Sequence, residues 1–328
     1  MESPTNTWHR IWTLRLLVTC VALGIIAALG QLIPTVLNVW QQISWGYLGW
    51  AAGLTVAYRV LNALGWGLVL RAFGQQLPPT IVLRTWLRSE ACRWLPGSVW
   101  CLGSRAFLAG QLGLAPAVAA ASVAWEFILT ILAWVATCLL GLAVGGVAPL
   151  AIASRLPISM LAMMAGVIAA GIGATCLWLR SAPAGKKQLV KLQQKLTDIQ
   201  SLRPHAGWSA TILVYYIAMC LLNGFALQYI IRSFAPDVQL PLLTAAGINA
   251  VAWLVGFLAV IAPSGVVVRE GCLAGLLIAW LPDTTALAVA VTWRLLQISV
   301  ELTCLFATYL PALGKKILRS QSIPSVGN

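Results

Sequence analysis

Seven ionisable side chains, Arg59, Arg105, Glu126, Arg269, Glu270, Arg294 and Glu301, fall within or beside apolar runs of this sequence. Each charge placed at the centre of a bilayer costs about 2.5–3.5 kcal/mol on insertion scales, so such residues need partners or a water-filled cavity. Arg294 and Glu301 are seven positions apart, which on a helix brings them two turns apart on nearly the same face, turned away from lipid. The chemistry open to this set is capture of an anion by arginines, with carboxylates balancing the charge and Glu270 available to exchange protons. Other chemistry lacks its residues. The two histidines, His9 and His205, lie outside the apolar runs and have no partner at metal-ligand or triad spacing. Neither a phosphate-binding glycine loop nor a dinucleotide fingerprint occurs. No cofactor, metal or catalytic residue is therefore expected, and the chain reads as something other than an enzyme.

Two segments combine these charges with helix breakers: LPGSVWCLGSRAFLAG from Leu95 to Gly110 and APSGVVVREGCLAG from Ala262 to Gly275. Each opens with Pro and Gly, reaches a charged residue and continues to a Leu-Ala-Gly tripeptide. Aligned on that tripeptide, Arg105 falls opposite Glu270; Glu126 follows the first segment by about one span, and Arg294 follows the second. The pattern points to an internal repeat with the charges exchanged. Pro96 and Pro263 interrupt the helix ladder, so backbone groups come free at membrane depth and must face protein or a cavity. Paired broken segments of this kind frame midplane substrate sites in transporters, where helix N-termini and arginines hold anionic groups such as phosphate. The structural alternative is a proline kink whose charge pairs only lock helices together.

The elements that position these residues follow from composition. With 60% hydrophobic residues, 9% charged residues and a mean hydropathy of +0.88, the chain is not a soluble domain. The apolar runs are solid and rich in Leu, Ala and Gly rather than alternating, which excludes a barrel and leaves an all-α polytopic membrane bundle. About eight transmembrane helices are expected, near residues 16–33, 50–70, 118–143, 158–179, 212–231, 242–262, 266–281 and 287–310. The seventh is short. Residues 83–114 mix apolar positions with Arg84, Arg88, Glu90, Arg93 and Arg105 and read as re-entrant or interfacial. All of this forms one integral membrane domain: a first half of about 10–180, an amphipathic cytoplasmic connector at 181–207 and a second half of about 208–312. The first apolar run is longer than the 7–15 residues of a signal-peptide core, so it is expected to be a retained helix.

Basic residues set the orientation. Lys186, Lys187, Lys191 and Lys195 follow the fourth span, Lys315 and Lys316 follow the eighth, and Arg10 and Arg15 precede the first, which places both termini in the cytoplasm. The net charge of +13 is dispersed along loop flanks without a nucleic-acid-binding signature, so anionic lipid headgroups and not nucleic acid are its expected contact. Leu189, Leu192, Leu196 and Ile199 give the connector an apolar face suited to the membrane surface. Tryptophans near span ends, among them Trp45, Trp50 and Trp208, suit the headgroup region. The eight cysteines show no CxxC spacing and read as small packing residues.

The motifs RWLPGSVWCLGSRAFLAGQLG, Glu126, APSGVVVREG and WRLLQISVEL together resemble the transmembrane region of bacterial lysylphosphatidylglycerol synthetases and the related stand-alone flippase-like proteins, over roughly residues 10–315. The resemblance implies a plasma (inner) membrane protein that binds and moves an anionic lipid or lipid-linked sugar between leaflets. It marks Arg93, Pro96, Gly97 and Arg105 in the first motif, and Pro263, Gly265, Arg269, Glu270 and Arg294 in the second half. On this reading Arg105, Arg269 and Arg294 contact phosphate, and Glu126, Glu270 and Glu301 balance them. The sequence departs from the family in one respect: Val266, Val267 and Val268 stand before Arg269 where further glycine is usual. The soluble aminoacyl-transfer domain of the synthetases has no counterpart here, so the resemblance gives no basis for lipid aminoacylation by this chain alone. Two other classes stay open: a membrane transferase or scaffold presenting lipid to a glycosyltransferase or aminoacyltransferase partner, and a small-solute transporter. Reporter fusions at residues 190 and 320 are expected on the same, cytoplasmic, side; opposite sides would overturn the eight-span topology.

Overall fold

The computed structural model describes residues 40–41, 43–94, 100–145, 206–258 and 268–309. The spans expected at 16–33 and 158–179, all but the end of the connector, and Pro96, Gly97, Pro263 and Gly265 lie outside the described residues. Among the described residues every regular element is helical: α1 (Trp45–Ala72), α2 (Pro79–Glu90), a 3-10 turn (Ala91–Trp94), α3 (Trp100–Gln111), α4 (Pro116–Gly145), α5 (Ala206–Phe234), α6 (Leu242–Leu258), α7 (Val268–Leu277) and α8 (Asp283–Ala307).

The long helices α1, α4, α5 and α8 are long and apolar enough to cross a membrane. They coincide with four of the expected spans. The 12 residues of α2, the 12 of α3 and the 10 of α7 are each too short, at about 1.5 Å per residue, to cross roughly 30 Å of hydrocarbon. The described part of residues 83–114, expected to be re-entrant or interfacial, thus consists of two half-length helices and the 3-10 turn that follows the first. The second half runs in the same order: long α5, 17-residue α6, short α7 and long α8.

Local chemistry sets the ends. Gly74, at φ +73°, supplies the left-handed residue that closes α1, with Gln75 N–H returning to Leu70 C=O at 2.9 Å. Gly113, at φ +90°, does the same after α3, two residues before Ala115 and Pro116 open α4. Pro79 occupies the first turn of α2, where its missing N–H has no cost. Trp45 and Trp50 at the start of α1 and Trp208 at the start of α5 are exposed, as headgroup anchors should be.

The bundle holds two apolar cores. Trp66, Trp86, Trp134 and Tyr216 anchor one, among α1 to α5 with contributions from α6 and α8; Leu273, Leu277, Trp293 and Ile230 anchor the other, among α5 to α8 with Ala51 of α1. Cys220 belongs to the first and Cys272 to the second, as thiols that pack rather than bridge. Within lipid, close backbone approach and polar contacts hold helices together, because apolar burial alone discriminates little. Gly141 of α4 crosses Gly247 of α6 with no room between them: a methyl group added to Gly141 would meet Leu243 C=O at 2.7 Å and Gly247 Cα closer still. A buried hydrogen-bond chain ties three helices. Asn249 of α6 donates to Asn223 of α5 at 2.6 Å, and Trp293 of α8 donates to Asn249 at 3.2 Å. Arg88 at the end of α2 donates to the Thr308 carbonyl at 3.0 Å and lies 4.6 Å from the Tyr309 ring centroid, fixing α2 to the C-terminus of α8.

Gly141→Ala should lower stability by about 3 kcal/mol through overpacking, whereas Gly53→Ala, in open space on α1, should leave it unchanged or slightly raised. Thermal unfolding in detergent measures the difference. Equal melting of the two variants would show that the crossing is not as close as described.

Candidate functional site

Arg105 is the most fully engaged of the buried charges. It projects from α3 and is 3% exposed. Its Nε donates to Ser89 Oγ at 3.1 Å, Nη2 to Glu90 Oε1 at 2.8 Å, and Nη1 to Glu126 Oε2. Its guanidinium lies 4.8 Å from the Trp86 ring centroid. Glu126, on α4, also accepts from Trp86 Nε1 at 2.8 Å and from the Tyr216 hydroxyl at 3.5 Å. Gly65 makes that last contact possible, because a methyl group there would come 2.8 Å from the Tyr216 oxygen. Four elements therefore converge on one ion pair.

Glu90 is the hub of the cluster, with 1% exposure. Besides Arg105 it pairs with Arg93, one helical turn on, and with Arg59 of α1 at 3.6 Å. Arg59 in turn donates to Glu301 of α8 at 2.8 Å. One continuous network thus links α1, α2, α3, α4 and α8. Pairing answers the desolvation penalty that each charge would otherwise bring. A second pair stands beside it: Arg294 of α8 lies 3.2 Å from Glu270 of α7.

The two pairs repeat with opposite sign. In the first half the short helix carries the arginine and the long helix carries the glutamate, Arg105 to Glu126; in the second half the short helix carries the glutamate, Glu270 to Arg294. The charge exchange expected from the aligned motifs is present in the contacts. The direct ion-pair partner of Glu301 is Arg59 of α1, at 2.8 Å.

Arg269 stands apart. Among the described residues it makes no ion pair and no hydrogen bond, although it neighbours Glu270 in sequence. It is held against Gly256 of α6, where an added methyl group would come 2.8 Å from the Arg269 Cβ. It faces a cavity of about 110 Å³ together with Arg93, Arg105, Arg294, Glu90 and Glu126. A smaller lobe of about 50 Å³ shares Asn62, Arg93, Thr130, Trp253 and Arg269 with the first and adds Tyr58 and Arg59. Among the described residues, across both lobes and the glutamates behind them, five arginines meet four glutamates, an excess of one positive charge.

Of the residues expected at the site, Arg93, Arg105, Glu126, Arg269 and Arg294 line the cavity, while Glu270 and Glu301 pair with arginines that line it. Glu90, Arg59, Asn62, Trp86 and Trp253 were not among them. Arg59 carried a signal, as a charge inside an apolar run. Glu90 gave the opposite one, because Arg84, Arg88 and Arg93 around it suggest a wet surface helix. Among the described residues no group of three or more His, Cys, Asp or Glu side chains is placed to hold a metal ion.

A family model described as the lysylphosphatidylglycerol synthase TM region matches residues 12–303 of the chain. No curated protein matches it.

Removing Arg105 leaves Glu126 and Glu90 buried short of a partner. Arg105→Met should therefore cost about 3–5 kcal/mol, and the double variant Arg105→Met/Glu126→Met less than the two single losses combined. A thermal double-mutant cycle in detergent measures the coupling; strict additivity would dissolve the pair.

Proposed function

The chain belongs to the lysylphosphatidylglycerol synthase transmembrane-region family, an integral membrane protein linked to lipid metabolism, and from that premise we propose that it binds an anionic lipid or lipid-linked sugar and carries it between leaflets. The observation that carries this reading is Arg269: a cavity-facing arginine with no protein partner among the described residues, in a cluster with one positive charge in excess. An uncompensated cation at membrane depth is costly, and a phosphate entering the cavity removes that cost while making charge-assisted hydrogen bonds. Arg93 and Arg294 flank it on the same wall. Arg105 has a different part: its nitrogens are engaged by Ser89, Glu90 and Glu126, so it holds α3 in place beneath the ligand.

In this reading the protein performs no covalent chemistry, works without cofactor or metal, lies in the plasma (inner) membrane with both termini cytoplasmic and forms one membrane domain. Movement of the headgroup exchanges its phosphate between arginines, with Glu270 available to couple the exchange to protons. A glycosyltransferase or aminoacyltransferase partner would supply or consume the lipid.

Arg269→Ala should slow leaflet exchange of an anionic phospholipid in reconstituted vesicles about ten- to a hundredfold, because a charged hydrogen bond contributes about 1.5–3 kcal/mol. Arg269→Lys should restore part of the rate. Unchanged exchange in Arg269→Ala would reject the assignment.

A further inference from the structure

The same cavity discriminates among lipid headgroups, and the inference that follows rests on the anionic-lipid reading above. Each of the four glutamates in the cluster is already in ion-pair contact with an arginine: Glu90 with Arg59, Arg93 and Arg105, Glu126 with Arg105, Glu270 with Arg294 and Glu301 with Arg59. An ammonium group brought into the cavity finds five arginines nearby and every carboxylate engaged. The cavity is therefore set against cations by repulsion from the arginines.

It is furnished instead for uncharged polar groups. The side chains of Tyr58, Asn62 and Thr130 line the smaller lobe and make no hydrogen bond to the described residues. They carry hydroxyl and amide donors and acceptors, the complement of a hydroxylated ligand. Opposite the arginines runs a row of rings from α4 and α6. Trp134 stacks on Trp253 with centroids 5.1 Å apart and planes at 11°, Trp253 and Phe257 are parallel at 5.5 Å, and Phe127 closes the row at 5.6 Å from Phe257. Trp253 lines both lobes, next to Arg269. An apolar wall beside a few placed polar groups is the ordinary make-up of a small-molecule site. The C–H faces of a sugar or cyclitol suit that wall while their hydroxyls reach Asn62, Thr130 and Tyr58.

We propose that the headgroup this cavity takes is a phosphate bearing an uncharged polyhydroxylated group, a sugar or polyol, with the phosphate on Arg269 and the hydroxylated part between Trp253 and Asn62. Aminoacylated headgroups, in which two ammonium groups of a lysyl ester outnumber one phosphate, are excluded by the same charges. The family description names a lysylated lipid; this chain's cavity favours the opposite charge.

The test uses the full chain in vesicles and three fluorescent lipids with identical acyl chains: phosphatidylinositol, phosphatidic acid and lysylphosphatidylglycerol. Wild-type protein should exchange phosphatidylinositol about tenfold or more faster than the lysylated lipid, the discrimination expected when polar partners are unmatched. Asn62→Leu with Thr130→Val should lower the phosphatidylinositol rate severalfold relative to phosphatidic acid, which has a phosphate and no hydroxylated group. Equal or faster exchange of the lysylated lipid, or an unchanged ratio in the double variant, overturns the proposal while leaving the lipid reading intact if Arg269→Ala still slows exchange. Release of entrapped inositol 1-phosphate without lipid exchange would move the same chemistry to a soluble ligand and overturn the lipid source. Melting curves of each variant in detergent separate loss of recognition from loss of fold; if the double variant unfolds, Tyr58→Phe carries the same comparison.

Discussion

Everything in this bundle is arranged around the cost of charge in a low-dielectric interior. A buried guanidinium or carboxylate is tolerable only when geometry and hydrogen bonds answer its lost hydration. Glu90 meets this condition by collecting three arginines from three elements. Because Arg59 also reaches Glu301, the ends of α2 and α8 are fixed relative to α1, and the short helix α3 is fixed by Arg105. Apolar packing fills the two cores, but in lipid the hydrocarbon outside is as apolar as the leucines inside. Charge pairing, glycine crossings and the Asn223–Asn249–Trp293 chain therefore carry the specificity of the arrangement.

The two halves use the same device to different ends. In the first, Arg105 and Glu126 border the cavity but are bonded to each other and to Ser89, Trp86 and Tyr216, which ties α2, α3, α4 and α5 together. In the second, Glu270 pairs with Arg294, and the neighbouring Arg269 has no ion pair among the described residues. The same kind of ion pair thus occurs twice with its signs exchanged, the second time with Arg269 beside it. Gly256 permits this by letting the Arg269 backbone approach α6.

Aromatic side chains form part of the cavity lining. The row from Phe127 to Trp134 joins α4 to α6 along the side of the cavity. The charge cluster stays in a setting where ionic hydrogen bonds are strong.

The sequence by itself determined the solvent, the element type and the residues that could not stand alone. Runs of apolar residues of membrane length can satisfy their backbone only as helices, and Arg59, Arg105, Glu126, Arg269, Glu270, Arg294 and Glu301 stand out against them because charge in such runs is costly. Even the exchanged polarity of Arg105–Glu126 and Glu270–Arg294 was legible, because each pair joins a broken segment to the span that follows. Only the tertiary structure decided the partners across the chain. Arg59 and Glu301 are 242 residues apart, and nothing local selects one for the other. It also buried Glu90, which its basic neighbours present as a surface residue, and gave Arg269 no ion pair among the described residues, since whether a charge is paired depends on distances between helices that no local pattern encodes.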